Sequence, residues 1–290
     1  MTEVTISWAA LQSDGIRRLT EAGVEQPGRE ARWIWESVTG VGLRDRERGS
    51  QLPLRDRSRW EESIGRRCAG EPLAYVLGEA AFRHLTLKSD SRALIPRPET
   101  EGLVDLVLAH CSAGRVLDVG TGTGCLALSL AREGHYDVVV AVDKSADAIA
   151  LARENIQSAG PQVGPMSKGR LPVLLLRGDL SSMAGSDTFD VLVSNPPYLS
   201  DLEYEALDHS VRDWEPGAAL TSGPVGLEIT EALLGDGLRV VRPGGWIALE
   251  LDCSRADQAS RYAQQAGWTD ISLRDDLFGR ARYLLARRSD

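Results

Sequence analysis

Cysteine and histidine are scarce in this 290-residue chain, four of each, and neither falls into ligand spacing. Cys68, Cys111, Cys125 and Cys253 form no CxxC pair, and His84, His110, His135 and His209 are equally scattered, so neither a metal site nor a disulfide framework is expected. Nor is there an apolar run of the roughly 20 residues that a membrane span requires. The opening stretch Met1–Trp8 lacks the basic-then-apolar layout of a signal peptide, which predicts a cytoplasmic protein with no membrane partner. Positive charge is also short, with 33 Lys and Arg against 42 Asp and Glu and a net charge of −9. Residues 1–78 hold 12 Arg, no Lys and 12 acidic residues, so the acidic surplus falls wholly beyond them. A protein built to grip phosphates shows a basic domain or stripe, so direct nucleic-acid binding is not expected.

What the chain does have is enough apolar content, 42% at this length, for one large domain and a small one. Three patches of helical periodicity occupy the N-terminal region: Leu11, Ile16 and Leu19; Ala31, Ile34, Trp35 and Val38; Trp60, Ile64 and Cys68. They predict a small helical bundle over residues 1–77, with Trp33, Trp35 and Trp60 as core, since a short bundle needs large side chains to bury enough area. Over 78–98 the pattern shortens to Phe82–Leu87 and Ala93–Ile95 around Lys88–Ser91, which reads as a linking β-hairpin. Pro98, with Glu99 or Thr100 near the N-cap, then opens a helix through Leu103, Val104, Val107 and Leu108.

From 99 to 290 strand and helix patterns alternate. Arg115–Val119, Val138–Val142, Val173–Leu176, Val191–Val193, Trp246–Leu251, Ile271–Leu273 and Tyr283–Ala286 read as strands. Cys125–Arg132, Ala146–Ala159, Gly226–Leu238 and Arg255–Ala266 read as helices between them, the layout of an α/β, mostly parallel, doubly wound seven-stranded sheet. Such sheets bind ligands beyond the carboxyl ends of their strands, near the switch point.

Two motifs fall at strand ends. In Asp118-Val-Gly-Thr-Gly-Thr-Gly124, Gly120, Gly122 and Gly124, with Thr121 and Thr123 between them, let the backbone turn sharply and approach a ligand closely. A dinucleotide loop would want G-x-G-x-x-G, and a triphosphate loop Gly-Lys-Ser/Thr; neither is present. The D-x-G-x-G-x-G spacing instead resembles the S-adenosylmethionine loop of Rossmann-like methyltransferases. Asp143, at the end of the second strand, then has the position to accept both hydroxyls of a ribose. Asp179, followed by Leu180 after the third strand, has the position to accept from an adenine amino group. Both aspartates could instead simply cap helices or turns.

The second motif is Ser194-Asn195-Pro196-Pro197-Tyr198. An amide or exocyclic amino nitrogen is a weak nucleophile because its lone pair is delocalised, so an enzyme that methylates it must orient it and relieve its growing positive charge. The Asn195 side-chain oxygen and the Pro196 carbonyl could accept the two hydrogens of a target NH₂. Pro196 and Pro197 stiffen the turn and leave carbonyls without competing N–H donors, and Tyr198 offers a ring face to a planar group. A rigid turn after a buried strand would also use Pro-Pro.

Taken with Gly70-Glu-Pro-Leu-Ala-Tyr75, Leu94-Ile-Pro-Arg-Pro-Glu-Thr-Glu101, Val211-Arg-Asp-Trp-Glu-Pro216 and Asp276-Leu-Phe-Gly-Arg280, these motifs make the chain resemble the peptide chain release factor N5-glutamine methyltransferases of the HemK/PrmC type over nearly its whole length. The resemblance implies a Rossmann-like class I methyltransferase sheet. It also implies transfer of methyl from S-adenosyl-L-methionine to the side-chain amide nitrogen of the glutamine in the Gly-Gly-Gln loop of release factors. Asn195, Pro196, Pro197 and Tyr198 would hold the glutamine; residues 120–124, Asp143, Asp179, Leu180 and Asn195 would face the cofactor; the helical domain would help dock the release factor. Arg97 and Glu99 could brace the substrate loop, the cofactor pocket or the junction between domains.

The chain departs from the family pattern in three places. Leu249-Glu-Leu-Asp-Cys253 lacks the usual glycine close to Glu250, Trp214 stands where Phe is usual, and Pro161–Pro172 lengthens a connection expected to be a surface loop. Three other functions compete. An adenine methyltransferase would use the same Asn-Pro-Pro-Tyr geometry on a flipped base, against which stand the acidic charge and only 92 residues after Tyr198. Glutamine methylation on a ribosomal protein would be chemically identical. A cofactor-binding scaffold without activity is disfavoured by the intact Asn195 and Tyr198.

Overall fold

A computed structural model of the chain describes residues 8–40, 54–159, 173–182 and 184–290, so the expected surface loop at 161–172 lies outside the described residues. The chain divides into two units, Met1–Glu79 with Asp208–Trp214, and Ala80–Leu207 with Glu215–Asp290.

In the first unit, α1 (Trp8–Glu21), α2 (Pro27–Thr39) and α3 (Leu54–Cys68) follow the three periodic patches, and a five-residue α4 (Leu73–Leu77) follows Pro72. Each long helix turns one apolar stripe inward. Trp35 lies between Trp8, 5.8 Å away, and Trp60, 5.7 Å away and edge-on, which is the favoured geometry for aromatic pairs. Gly15 gives α1 its close approach, since a Cβ there would come within 2.5 Å of the Trp60 ring. The expectation that Trp33 shares this core does not hold. Residues two apart on a helix lie on opposite faces, and Trp33 is 37% exposed with the Arg29 guanidinium 4.3 Å over its ring.

The linking hairpin forms, but not between the segments expected. Its strands are β1 (Glu79–Phe82) and β2 (Leu85–Lys88), turning at Arg83-His84, and Ala93–Ile95 is not a strand. The turn holds Arg83 at a left-handed φ of 50°. Its guanidinium donates to Glu133 at 2.6–2.8 Å, and its backbone N–H donates to the Glu101 carboxylate at 2.8 Å. Long-range ion pairs therefore fix a turn that no glycine or asparagine signals.

Beyond the hairpin come α5 (Thr100–His110), β3 (Ala113–Val119), α6 (Cys125–Glu133), β4 (His135–Asp143), α7 (Ala146–Ala159), β5 (Val173–Arg177) and β6 (Phe189–Ser194). Short elements follow: β7 (Leu199–Ser200), α8 (Asp201–Glu205), α9 (His209–Arg212) and β8 (Thr221–Gly223). The chain closes with α10 (Glu228–Val240), β9 (Val241–Glu250), α11 (Ala256–Ala266), β10 (Trp268–Asp275) and β11 (Ala281–Arg288). All seven expected strands join one sheet in the order β10-β11-β9-β6-β3-β4-β5, parallel from β9 to β5, with β11 antiparallel to both β9 and β10.

Both faces of this sheet are covered, which is why its strands read as continuous apolar runs. Val116, Val139, Val191 and Ala248 pack with Leu103 of α5 and Leu128 of α6. Leu117, Val140, Leu192 and Ile247 pack with Leu233 of α10 and Ala259 of α11 on the other. Connections from β3 run towards β4 and β5, whereas β6 lies on the opposite side of β3. The switch point of this doubly wound sheet is therefore the β3–β6 pair, and both motifs emerge there. No described helix is long and apolar enough to cross a membrane.

Candidate active site

The first motif leaves β3 at Val119 and turns through three glycines, at φ of 72° (Gly120), 55° (Gly122) and 84° (Gly124), a backbone path that side chains with a Cβ resist. Gly120 and Thr121 donate their N–H groups to the Val142 carbonyl at 2.8 and 3.0 Å, tying the loop to the end of β4. Beneath it Asp118 is fully buried. Its Oδ2 accepts from the Thr121 hydroxyl at 2.6 Å and the Ala127 N–H at 3.2 Å, while its Oδ1 has no partner. Burial pushes this carboxyl up to about 7.

Asp143 closes β4 facing the same loop. Its Oδ2 accepts from the Gly122 N–H at 3.0 Å and its Oδ1 from the Ser145 N–H at 2.9 Å. Each oxygen keeps a second lone pair, so the carboxylate is aimed by the backbone and still able to accept from a ligand. Gly178, Asp179 and Leu180 form the next wall, after β5; Asp179 is exposed, and Leu180 takes a left-handed φ of 47° with its side chain half-buried.

The second motif follows β6, whose six residues are all buried. Ser194 donates its hydroxyl to the Val119 carbonyl at 2.6 Å, clasping the ends of β6 and β3 and so joining the two motifs. Asn195, Pro196 and Pro197 line one pocket with Gly120, Thr121, Gly122, Thr123, Asp143, Asp179 and Leu180, and Leu94, Ile95 and Leu233 make part of its apolar wall, whereas Gly124 does not line it and faces Ala152 and Leu128 instead. Tyr198 does not line that pocket. Its phenol, raised in pKa chiefly by burial, sits among the charges of Glu250, Arg282 and Arg97.

Several groups matter here whose roles the local sequence does not show. Thr100, the first residue of α5, accepts from Asn195 Nδ2 at 2.9 Å and donates its own hydroxyl to Glu250 Oε2 at 2.7 Å. Glu250 is 1% exposed at the end of β9, and burial pushes its carboxyl up to about 7. Glu215, buried as well, accepts from Arg97 Nη2 at 2.5 Å and from the Ile95 N–H at 3.1 Å, which pins the 95–97 wall of the pocket. Glu99 contributes its carbonyl, which accepts from the Tyr283 hydroxyl at 2.5 Å. The signal available for Glu250 was a lone carboxylate closing the apolar run Trp246-Ile-Ala-Leu; Glu215 had none beyond its place in a matched motif. At the missing family glycine the backbone needs no left-handed residue. Asp252 has a φ of −71° and accepts from the Ser254 N–H at 2.8 Å, starting a short turn that leads into α11.

Chemically the pocket offers a close-approach backbone loop, the carboxylates of Asp143 and Asp179, and the Asn195 carboxamide beside Pro196 and Pro197. That set suits a ligand rich in hydroxyl and amino donors next to a planar N–H group. Among the described residues no cluster of three or more His, Cys, Asp or Glu could hold a metal.

Comparison with known proteins bears on the family and the fold. The family model of the methyltransferase small domain matches residues 98–212, and that of the PrmC N-terminal domain matches residues 10–78. The release factor glutamine methyltransferase of Deinococcus radiodurans is 38% identical over 288 residues, covering 96% of this chain and 98% of that one. The protein of the same name from Nitratidesulfovibrio vulgaris is 38% identical over 235 residues, covering 79% and 77%. Among solved structures, a methyltransferase from Pyrococcus furiosus superposes with a TM-score of 0.50 at 20% identity, over 70% of this chain and 89% of that one, and so shares the fold.

Proposed function

The chain belongs to the release factor glutamine methyltransferase family, and from that premise we infer that it methylates the side-chain amide nitrogen of a glutamine in a release factor, with S-adenosyl-L-methionine as methyl donor. The observation that carries this reading is the Ser194–Val119 clasp, which holds an Asn-Pro-Pro turn and a glycine loop at adjacent strand ends around one pocket.

S-adenosyl-L-methionine, when bound, supplies an electrophilic methyl on a sulfonium. The residues fit such a ligand: Gly120 and Gly122 give it backbone clearance, the outer lone pairs of Asp143 suit ribose hydroxyls, and Asp179 with Leu180 suits the adenine edge and face. Asn195 Oδ1 and the Pro196 carbonyl would each accept one hydrogen of the substrate NH₂. This clamp holds the amide in the plane that points its nitrogen at the methyl and stabilises the charge developing on it until one proton leaves. Pro197 stiffens the turn, and Tyr198 packs behind it against the Glu250 and Arg282 charges. We assign release-factor docking to the first unit, and the ribosomal setting of that substrate implies work in the cytoplasm.

Purified protein with labelled S-adenosyl-L-methionine is expected to label a release factor and to leave its Gly-Gly-Gln Gln→Ala variant unlabelled. Label on a ribosomal protein or on DNA instead would overturn the assignment.

A further inference from the structure

We propose that Thr100 and Glu250 are positioning residues that decide which end of the Asn195 carboxamide meets the substrate. The inference rests on the methyl-transfer reading above and adds to it two groups, 150 residues apart in sequence, that act through Asn195: Thr100, at the wall of the pocket, and Glu250 behind it.

A carboxamide is nearly symmetric in shape, so rotation by half a turn swaps its oxygen for its NH₂ with little steric consequence. For a substrate that offers two N–H hydrogens, one orientation accepts and the other sets donor against donor. Something must choose. The Asn195 side chain makes one hydrogen bond, from Nδ2 to Thr100 Oγ1 at 2.9 Å. A threonine hydroxyl has a single hydrogen, and here it goes to Glu250 Oε2 at 2.7 Å, leaving only lone pairs for Asn195. Thr100 can therefore receive an N–H but cannot donate one. The carboxamide must turn its nitrogen to Thr100 and its oxygen to the pocket.

The root of the chain is the ionised Glu250, which can only accept. Around it stand Arg282 and Tyr283 on β11, Arg97 and Glu99 ahead of α5, Tyr198 after β6 and Cys125 at the start of α6. Burial, with a smaller push from Glu99, opposes the charged carboxylate and outweighs the Thr100 hydrogen bond and the two arginines that favour it, leaving the carboxyl at about 7. Once protonated, Glu250 can donate to Thr100. The threonine hydrogen is then free to turn to Asn195, and the amide is no longer held in its accepting orientation. The direction of the relay thus depends on one proton at a buried carboxyl.

The test uses the full chain, a release factor and S-adenosyl-L-methionine, both saturating, with kcat followed between about pH 5.5 and 9. Wild-type kcat is expected to fall about tenfold per pH unit below about 7. Thr100→Val keeps the shape and removes the hydroxyl. It is expected to lose roughly 10- to 100-fold in kcat and the acid limb with it, while S-adenosylhomocysteine binding stays within about threefold of wild type. Thr100→Ser keeps the hydroxyl and should recover most of the rate and the acid limb. Glu250→Gln has no proton to lose and should show a flat profile through the same range.

Thr100→Val with a rate within about threefold of wild type, or with its acid limb intact, would overturn the relay, as would an unchanged limb in Glu250→Gln. Should Thr100→Val fail to bind S-adenosylhomocysteine, the Glu250→Gln profile decides. Wild type that methylates no release factor at any pH overturns the underlying reading, whereas an active wild type with indifferent variants overturns the relay alone.

Discussion

Asn195→Ala separates the clamp from the cofactor pocket with a single change. The substitution removes one of the two oxygens that would accept from the substrate NH₂ and leaves the other, the Pro196 carbonyl, on a backbone stiffened by two prolines. Loss of one preorganised contact to a centre that gains charge costs about 3 kcal/mol, or roughly 10²-fold. The amide is then free to swing about its remaining contact, and misaiming adds up to roughly another 10²-fold. We therefore expect kcat to fall by between about 10² and 10⁴, on the order of 3–5 kcal/mol. Cofactor affinity should hardly move, because the Gly122–Asp143 and Thr121–Asp118 contacts that shape the loop do not involve Asn195. Single-turnover methyl transfer to a release factor measures the first quantity, and titration calorimetry with S-adenosylhomocysteine the second. A drop of less than about tenfold, or a drop matched by an equal loss of cofactor affinity, would refute the assigned role.

Asp143→Ala should have the converse effect, weakening S-adenosylhomocysteine binding by on the order of 100-fold as two backbone N–H groups and the ribose lose their acceptor; a change under about fivefold by calorimetry would contradict this. Gly15→Ala gains about 1 kcal/mol of helix propensity, yet its Cβ meets the buried Trp60 ring at 2.5 Å. A net loss of about 1–2 kcal/mol in denaturant unfolding is expected, and unchanged or greater stability would remove Trp60 from the Gly15 contact. Glu250→Gln tests the raised carboxyl through stability. A folded-state pKa of about 7 against the ordinary 4.5 means that the carboxyl's contribution is full below about pH 4.5 and is lost as pH rises through 7. Wild type should thus lose up to about 3 kcal/mol relative to the variant between about pH 4.5 and 8 in urea unfolding, and a difference that is flat or grows with pH would contradict the burial argument.

The sheet was legible in the sequence because its strands are buried on both faces. Val138–Val142 and Val191–Val193 read as strands from their β-branched runs, and the glycine loop and Asn-Pro-Pro turn could be placed at their ends without knowing the fold. The hairpin's strands are not legible in the sequence because its turn is fixed by Glu101 and Glu133, 18 and 50 residues from Arg83, rather than by residues that favour a turn locally. Trp33 falls outside the core that Trp35 enters because residues two apart on a helix lie on opposite faces. The five-residue α4 is too short for a period to show. Within the site, the residues expected to touch ligand are visible as motifs, whereas Thr100 and Glu215 stand in matched segments that give no hint of what they hold, and Glu250 only closes an apolar run. Their roles arise from contacts across 95 to 150 residues, which no spacing rule encodes.

The two units are not strung one after the other. The chain enters the second at Ala80, returns to the first for Asp208–Trp214, and goes back at Glu215, whose side chain anchors Arg97. A gene cut at the obvious junction after residue 79 would leave both fragments incomplete, one missing a piece and the other carrying a piece foreign to it. Recombination could not trade the first unit as a cassette, so its divergence must come from substitutions within the existing architecture.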